Sequence, residues 1–300
     1  MRSSKGYKRS YETYLATDLY GKLTQKNTRG LTQSPTSPLT GLAGGFSYPA
    51  GAYAAYSLQD LGTGGNVIRA RREADNAEQD FTAAEIFAGD LGTWASSTNA
   101  YVTTWYDQSG NGQHATQTTA SQQPKVIDNG AVILDSNGKA TIQFDGSNDN
   151  LQMPFATGSN SAHLMSAVCE PVNNSSNQFL LDFRDASNDG ITMLGLSSGL
   201  MNHRTNAVKA AQNYNSDVQL FTGEYTGTDL TAYVDGSGGT TLSGADTNAT
   251  INGRIGSVAA AVTLPWNGTI SEVVIYLTDQ SSNLADIESN IAGRYGISLT

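Results

Sequence analysis

Val218-Gln219-Leu220-Phe221-Thr222-Gly223-Glu224-Tyr225, then Thr226-Gly227-Thr228-Asp229, then Leu230-Thr231-Ala232-Tyr233-Val234 and a closing Asp235-Gly236, is the stretch whose reading decides the fold. Two runs rich in strand-forming residues flank a short polar turn, which spells a β-hairpin. The same alternation recurs outward from it. Thr269–Leu277 is apolar on both faces, as a central sandwich strand would be. Ala140, Ile142 and Phe144 alternate with Thr141, Gln143 and Asp145, so that strand has one buried face. Phe179–Phe183, Ile191–Leu196, Val67–Arg71 and Ala100–Tyr106 also read as strands, and Lys125–Ile127 and Val132–Leu134 flank the turn Asp128-Asn129-Gly130. Helices are expected to be few and short: one within Ala52–Leu61, one over residues 82–92, and one at the C-terminus. The last has Asn283 as cap, Asp286 at the capping-box position, a stripe of Leu284, Ile287 and Ile291, and Gly293 or Gly296 as its stop.

Composition agrees with an all-β chain. Of 300 residues, 38% are hydrophobic and 15% charged, with 32 Gly, 14 Tyr, 8 Phe and 3 Trp. Disordered chains are similarly polar but lack that aromatic content. Charge divides the chain. Residues 1–30 hold seven Lys/Arg against Glu12 and Asp18, a balance of +5, while the remainder holds ten basic against twenty-five acidic groups, a balance of −15. Tyr7, Tyr11, Tyr14, Leu15 and Leu19 take helical spacing, and a tyrosine face suits an interface, so these tyrosines are the expected assembly anchor. A Pro/Gly-rich linker follows. The expected organisation is therefore an arm with linker over 1–45 and one sandwich domain over 46–300. The acidic body argues against a nucleic-acid partner. No apolar run follows Met1-Arg2-Ser3-Ser4-Lys5, and no stretch approaches a membrane span, so neither a secretory leader nor a span is expected. Cys169 is the only cysteine and sits beside the apolar run Leu164–Val168, which reads as core.

Few residues announce chemistry. Three loops share one shape: Asp107-x-Ser109-x-Asn111-Gly112, Asp145-x-Ser147-x-Asp149-Asn150 and Asp185-x-Ser187-x-Asp189-Gly190. Alternating oxygen ligands open a calcium loop, but the twelfth position, which needs Glu, holds Thr118, Ala156 and Leu196. Asp107, Asp145, Asp149, Asp185 and Asp189 are the metal candidates, for a calcium completed from elsewhere in the fold. The competing reading is that these side chains close their own turns. No cofactor besides that calcium is expected. His114, His163 and His203 have no ligand spacing, and no Gly-x-Ser-x-Gly elbow occurs. A glycosidase needs two acids, but no spacing singles out a pair. Trp94, Trp105 and Trp266 are candidates for stacking sugars, against the alternative of filling the core.

Two segments carry a family resemblance. Ala54–Leu58, Val67–Arg72 and Asp75–Asp80, followed by Val102-Thr103-Thr104-Trp105-Tyr106-Asp107-Gln108-Ser109-Gly110-Asn111-Gly112, resemble the catalytic domain of fungal α-L-arabinofuranosidase B. Phe144–Asp149 and Ala232–Gly236 are similar to strand ends of the laminin G/concanavalin A superfamily, and the ending Glu272–Tyr276 with Ile287–Ile291 resembles phage tail and head-fibre proteins. The resemblance covers roughly residues 50–300 and implies a concanavalin A-like jelly-roll sandwich with short helices. It also implies places for the family's chemistry: a cysteine-paired stretch matching Leu180–Arg184, the strand after it, and a turn matching Ile255–Ala260. The cysteines are missing at the first, and the strand Ile191–Leu196 and the turn hold no acid. The expectation is accordingly a non-enzymatic virion structural protein of a bacteriophage, oligomeric, located in the virion, contacting other virion proteins and itself, with a sandwich that binds host-surface glycan. The alternatives are a secreted arabinofuranosidase-like glycan hydrolase and a bacterial carbohydrate-binding adhesin module.

Overall fold

The computed structural model describes residues 48–159, 162–172, 177–184, 192–197, 199–204, 209–243, 248–249 and 251–300. The arm, with Tyr7, Tyr11 and Tyr14, and the loop bearing Asp185 and Asp189 lie outside them. The first half supplies β1 (Ala54–Ser57), β2 (Asn66–Arg72), β3 (Glu78–Thr82), α1 (Ala83–Ala88), α2 (Asp90–Ala95), β4 (Ala100–Trp105), β5 (Lys125–Asp128), β6 (Ile142–Asp145) and β7 (Leu151–Gln152). The second supplies β8 (His163–Pro171), β9 (Gln178–Asp182), β10 (Thr192–Ser197), β11 (Leu200–Arg204), β12 (Lys209–Asn213), β13 (Gln219–Tyr225), β14 (Asp229–Val234), β15 (Arg254–Ile255), β16 (Asn267–Tyr276) and α3 (Leu284–Tyr295).

These strands form an all-β, jelly-roll-like sandwich. One antiparallel layer runs β3-β2-β4-β5-β6-β16-β8-β13-β14. The other runs β7-β15-β9-β10-β11-β12, and its β11 and β12 lie over β14. The hairpin forms as expected, with Tyr225 opposite Leu230. The strand expected to be apolar on both faces is β16, which has neighbours on both edges. It is buried on both faces over Ile270–Tyr276, and the neighbouring β8 shows the two cores that its alternate side chains enter. Met165, Ala167 and Cys169 of β8 meet Leu180, Leu181, Leu196 and Met201 in the core between the layers. Leu164 and Val168 point the other way, onto Ile287, Ile291 and Tyr295 of α3.

Two local expectations change. Ala52–Leu61 contains strand β1, not a helix. Ala54 and Tyr56 enter the main core while Ala55 enters the cluster under α3, and β1 completes the edge of β16 with Ala54 opposite Ile275. Pairing with a buried strand overrides the helical preference of alanine. Residues 82–92 begin two short helices, broken at Gly89 with φ +88°. The first starts in a capping box between Thr82 and Glu85. In α3 the Asn283 side chain makes no capping bond, and Gly296, at φ +69°, is the stop.

Buried titratable groups set a pH dependence of stability. Burial pushes the carboxyls of Asp149 and Glu288 up to about 7, helped by the nearby charges of Asp145 and Glu224 respectively, and pushes Asp135 up to about 6. Each holds a proton when folded that it sheds when unfolded, so each adds stability as pH falls from about 7 toward 4. His203 opposes them. Its Nε2 lies 3.2 Å from His163 Nε2, and burial lowers its pKa to about 3, so its contribution is lost as pH falls below about 6.5. Each group is worth about 1.4 kcal/mol per pH unit across its window, and three acids outweigh one histidine. Thermal unfolding is expected several degrees higher at pH 5 than at pH 8. A flat or reversed trend would show that these acids are not held protonated.

Candidate active-site cleft

The exposed side of β2, β4, β5 and β6 bounds a cleft of about 530 Å³. Its walls are polar: Arg71 and Glu73 from the β2 end, Tyr101 from β4, Gln123 and Lys125 around the start of β5, and Gln143 from β6. Alternation places them, since strand residues that point away from the core must point here. The wall is held by its own bonds. Arg71 Nε donates to Gln123 Oε1 at 2.7 Å, and its guanidinium lies 5.1 Å from the Tyr101 ring centroid. The Tyr101 hydroxyl donates to Glu73 Oε1 at 3.2 Å, and Asn99 Nδ2 donates to Glu73 Oε2 at 2.9 Å.

Two carboxyls also line the cleft, Asp145 at the end of β6 and Asp149 from the turn that follows it. Asp145 is exposed, and its Oδ1 accepts the N–H groups of Ser147 and Asn148 at 2.7 and 3.3 Å. Asp149 is buried, and its Oδ2 accepts the Asp145 N–H at 3.0 Å. Gly146, at φ +74°, makes the reversal between them and packs so closely on Asn267 that a Cβ would sit 2.7 Å from that side chain. Burial pushes the Asp149 carboxyl up to about 7, helped by the charge of Asp145 and against the pull of the Asp145 N–H. A buried acid with a raised pKa beside a second, exposed carboxyl is the kind of arrangement that acid-assisted glycoside cleavage uses.

The metal candidates behave as self-closing turns where they are described. Asp107 accepts from Ala55 N (2.9 Å), Ser109 N (2.8 Å), Ser109 Oγ (2.8 Å) and Gln113 N (2.9 Å), so its oxygens hold the loop to β1. Among the described residues no three His, Cys, Asp or Glu groups cluster as a metal site. Replacing Asp107 with Ala leaves the buried Ala55 N–H and its companions unpaired, and is expected to cost about 2–3 kcal/mol in urea unfolding. A loss within measurement error would show that the loop closes without it.

The tryptophan candidates need correction. Trp105 and Trp266 are 0% exposed and belong to the core, where no sugar reaches them. Trp94 is half-buried, edge-on to Phe81 at 5.3 Å, with the Arg72 guanidinium 5.0 Å from its ring centroid. The three do not form one platform. Sequence reading passed over Arg71, Glu73, Tyr101 and Gln143. The signal for them was the outward phase of β2, β4 and β6, legible once the strands are paired.

The segments matched by resemblance to the family's chemistry do meet. Leu181 pairs with Ile255 and Asp182 with Arg254, and Gly256 N donates to Leu180 O at 2.8 Å. Asp182 there is fully buried, and Arg184 closes on it with Nε 2.8 Å from Oδ2. That guanidinium is in turn 4.5 Å from the centroid of the Phe179 ring. An ion pair fills this place, and the open carboxyl pair lies instead at the end of β6.

No family model and no curated protein matches the chain. Solved structures do. An α-L-arabinofuranosidase of glycoside hydrolase family 54, soaked with a cyclic sulfate inhibitor, superposes with a TM-score of 0.63 at 17% identity, over 80% of this chain and 62% of that one. The fold is that of these arabinofuranosidases. A second arabinofuranosidase, complexed with arabinofuranosyl-α-1,2-xylobiose, gives 0.60 at 15% identity over 83% and 64%, so the chain spans under two thirds of either structure. This corrects the expectation of a non-enzymatic bacteriophage virion protein. The sandwich is shared, over about four-fifths of the chain, with arabinofuranosidase structures.

Proposed function

We propose that the chain is a glycan hydrolase of the arabinofuranosidase type, acting in the cleft across β2, β4, β5 and β6. One observation carries this reading: Asp149 stays protonated to about pH 7, buried beside Asp145 in the lining of an open polar cleft. Asp149 Oδ2 is committed to the Asp145 N–H, which leaves Oδ1 to present the proton to a leaving oxygen. The exposed Asp145 carboxylate faces the developing positive charge at the sugar carbon and serves as nucleophile or as base toward water. Tyr101, fixed by Arg71 and Glu73, gives the sugar an apolar wall, and Gln123 and Gln143 offer amides to its hydroxyls. The fold shared with arabinofuranosidases supports a furanoside as the first substrate to try.

The test is hydrolysis of a panel of 4-nitrophenyl glycosides, α-L-arabinofuranoside among them, followed by nitrophenol release. Turnover above buffer for at least one member, lost on substituting Asp145, is the expected result. Buffer-level rates across the panel would defeat the proposal.

A further inference from the structure

A second hollow lies on the other layer, on the outer face of β9–β12, with a volume of about 100 Å³. Register explains it. Phe179 stands opposite Gly195, and Gly195 opposite Asn202, so a row across three strands has an aromatic ring, a glycine and an amide. The Phe179 ring lies over Gly195, where a Cβ would come within 2.8 Å of it, and the hollow opens beside that ring toward Asn202. Asn202 is 5% exposed, and its Nδ2 donates to Gly195 O at 2.9 Å and Leu200 O at 2.8 Å. Those two bonds fix the amide, yet its buried Oδ1, on a residue lining the hollow, has no hydrogen-bond partner among the described residues. An unmet buried acceptor is costly unless a ligand donates to it.

The rim is cationic. Arg204 and Lys209 are both exposed, both line the hollow, and face each other across the β11–β12 hairpin. Like charges directly opposite on paired strands are destabilising. Here they sit on a body whose balance beyond residue 30 is −15. Neither forms an ion pair among the described residues.

We propose that this hollow binds a carboxylate-bearing sugar, a hexuronate residue of a glycan. Its carboxylate bridges Arg204 and Lys209, relieving their repulsion with charge-assisted hydrogen bonds. A ring hydroxyl donates to Asn202 Oδ1. The site is separate from the Asp145/Asp149 cleft and requires no turnover there.

The experiment is an amide chemical-shift titration of the full chain with three probes: methyl glucuronide, methyl glucoside and acetate. Methyl glucuronide is expected to shift the Gly195 and Asn202 signals and to bind at least tenfold more tightly than either other probe. The Arg204→Gln/Lys209→Gln variant is expected to lose that binding at least tenfold while melting no lower than the parent, since a like-charge pair has been removed. Equal binding of the glucoside would overturn the role of the carboxylate. Equal binding of acetate would reduce the hollow to a simple anion site and overturn the sugar. Unchanged glucuronide binding by the double variant would place the ligand elsewhere.

Discussion

Asp149→Asn is expected to lower turnover of a cleavable glycoside about 10²–10⁴-fold, the range a positioned general acid contributes. The amide keeps the oxygen that accepts the Asp145 N–H, so the turn after β6 stays closed. What disappears is the proton on the other oxygen. At pH 8 the variant is expected to be at least as stable as the parent, because a buried carboxyl that ionises there is replaced by a neutral group. Loss of activity with stability retained separates a chemical role from a structural one. A substrate with a leaving group that needs no proton would recover much of the rate. An Asp149→Asn protein as active as the parent on ordinary substrates would remove Asp149 from the mechanism.

The largest expected loss of stability lies far from the cleft, where α3 meets the sheet. Glu272 of β16 is 1% exposed and Arg294 of α3 is 6% exposed. Arg294 engages both oxygens of Glu272, its guanidinium lies 4.2 Å from the Tyr48 ring centroid, and the Tyr48 hydroxyl donates to the same carboxylate. Arg294→Met strands the carboxylate in a dry interface and is expected to cost about 3–5 kcal/mol, read as a lower urea midpoint. Adding Glu272→Gln should recover part of that loss, since the main penalty is the unpaired charge. A double variant no more stable than Arg294→Met would assign the loss to packing of the guanidinium on Tyr48 instead.

The hairpin of β13 and β14 and the central strand β16 were legible because strand-forming runs flank a polar turn in the first and burial on both faces makes the second a continuous apolar run. β1 was not. Ala54-Ala55-Tyr56-Ser57 contains no β-branched residue, and its strand state comes from the free edge of β16, more than 200 residues away. Asp145 and Asp149 stood out in the sequence as oxygen donors, but spacing alone could not say that one would be buried and the other exposed. That difference arises from packing around the turn, and it sets the Asp149 carboxyl apart from its exposed neighbour. Trp105 and Trp266 failed as sugar platforms for the same reason: an indole suits a groove and a core equally, and only the pairing of the layers decides between them. The cleft wall joins residues from 71 to 149 on separate strands, so no local motif could announce it.

The most direct measurement is the pH dependence of kcat/KM, from pH 4 to 9, on the parent chain and on Asp149→Asn, for an alkyl or oligosaccharide glycoside of whichever sugar the panel singles out, whose leaving group needs a proton. The account predicts a bell whose upper limb falls near pH 7, where Asp149 gives up its proton, and predicts that this limb vanishes in the variant along with most of the rate. No cleavage at any pH, or an upper limb unmoved by the substitution, would contradict it.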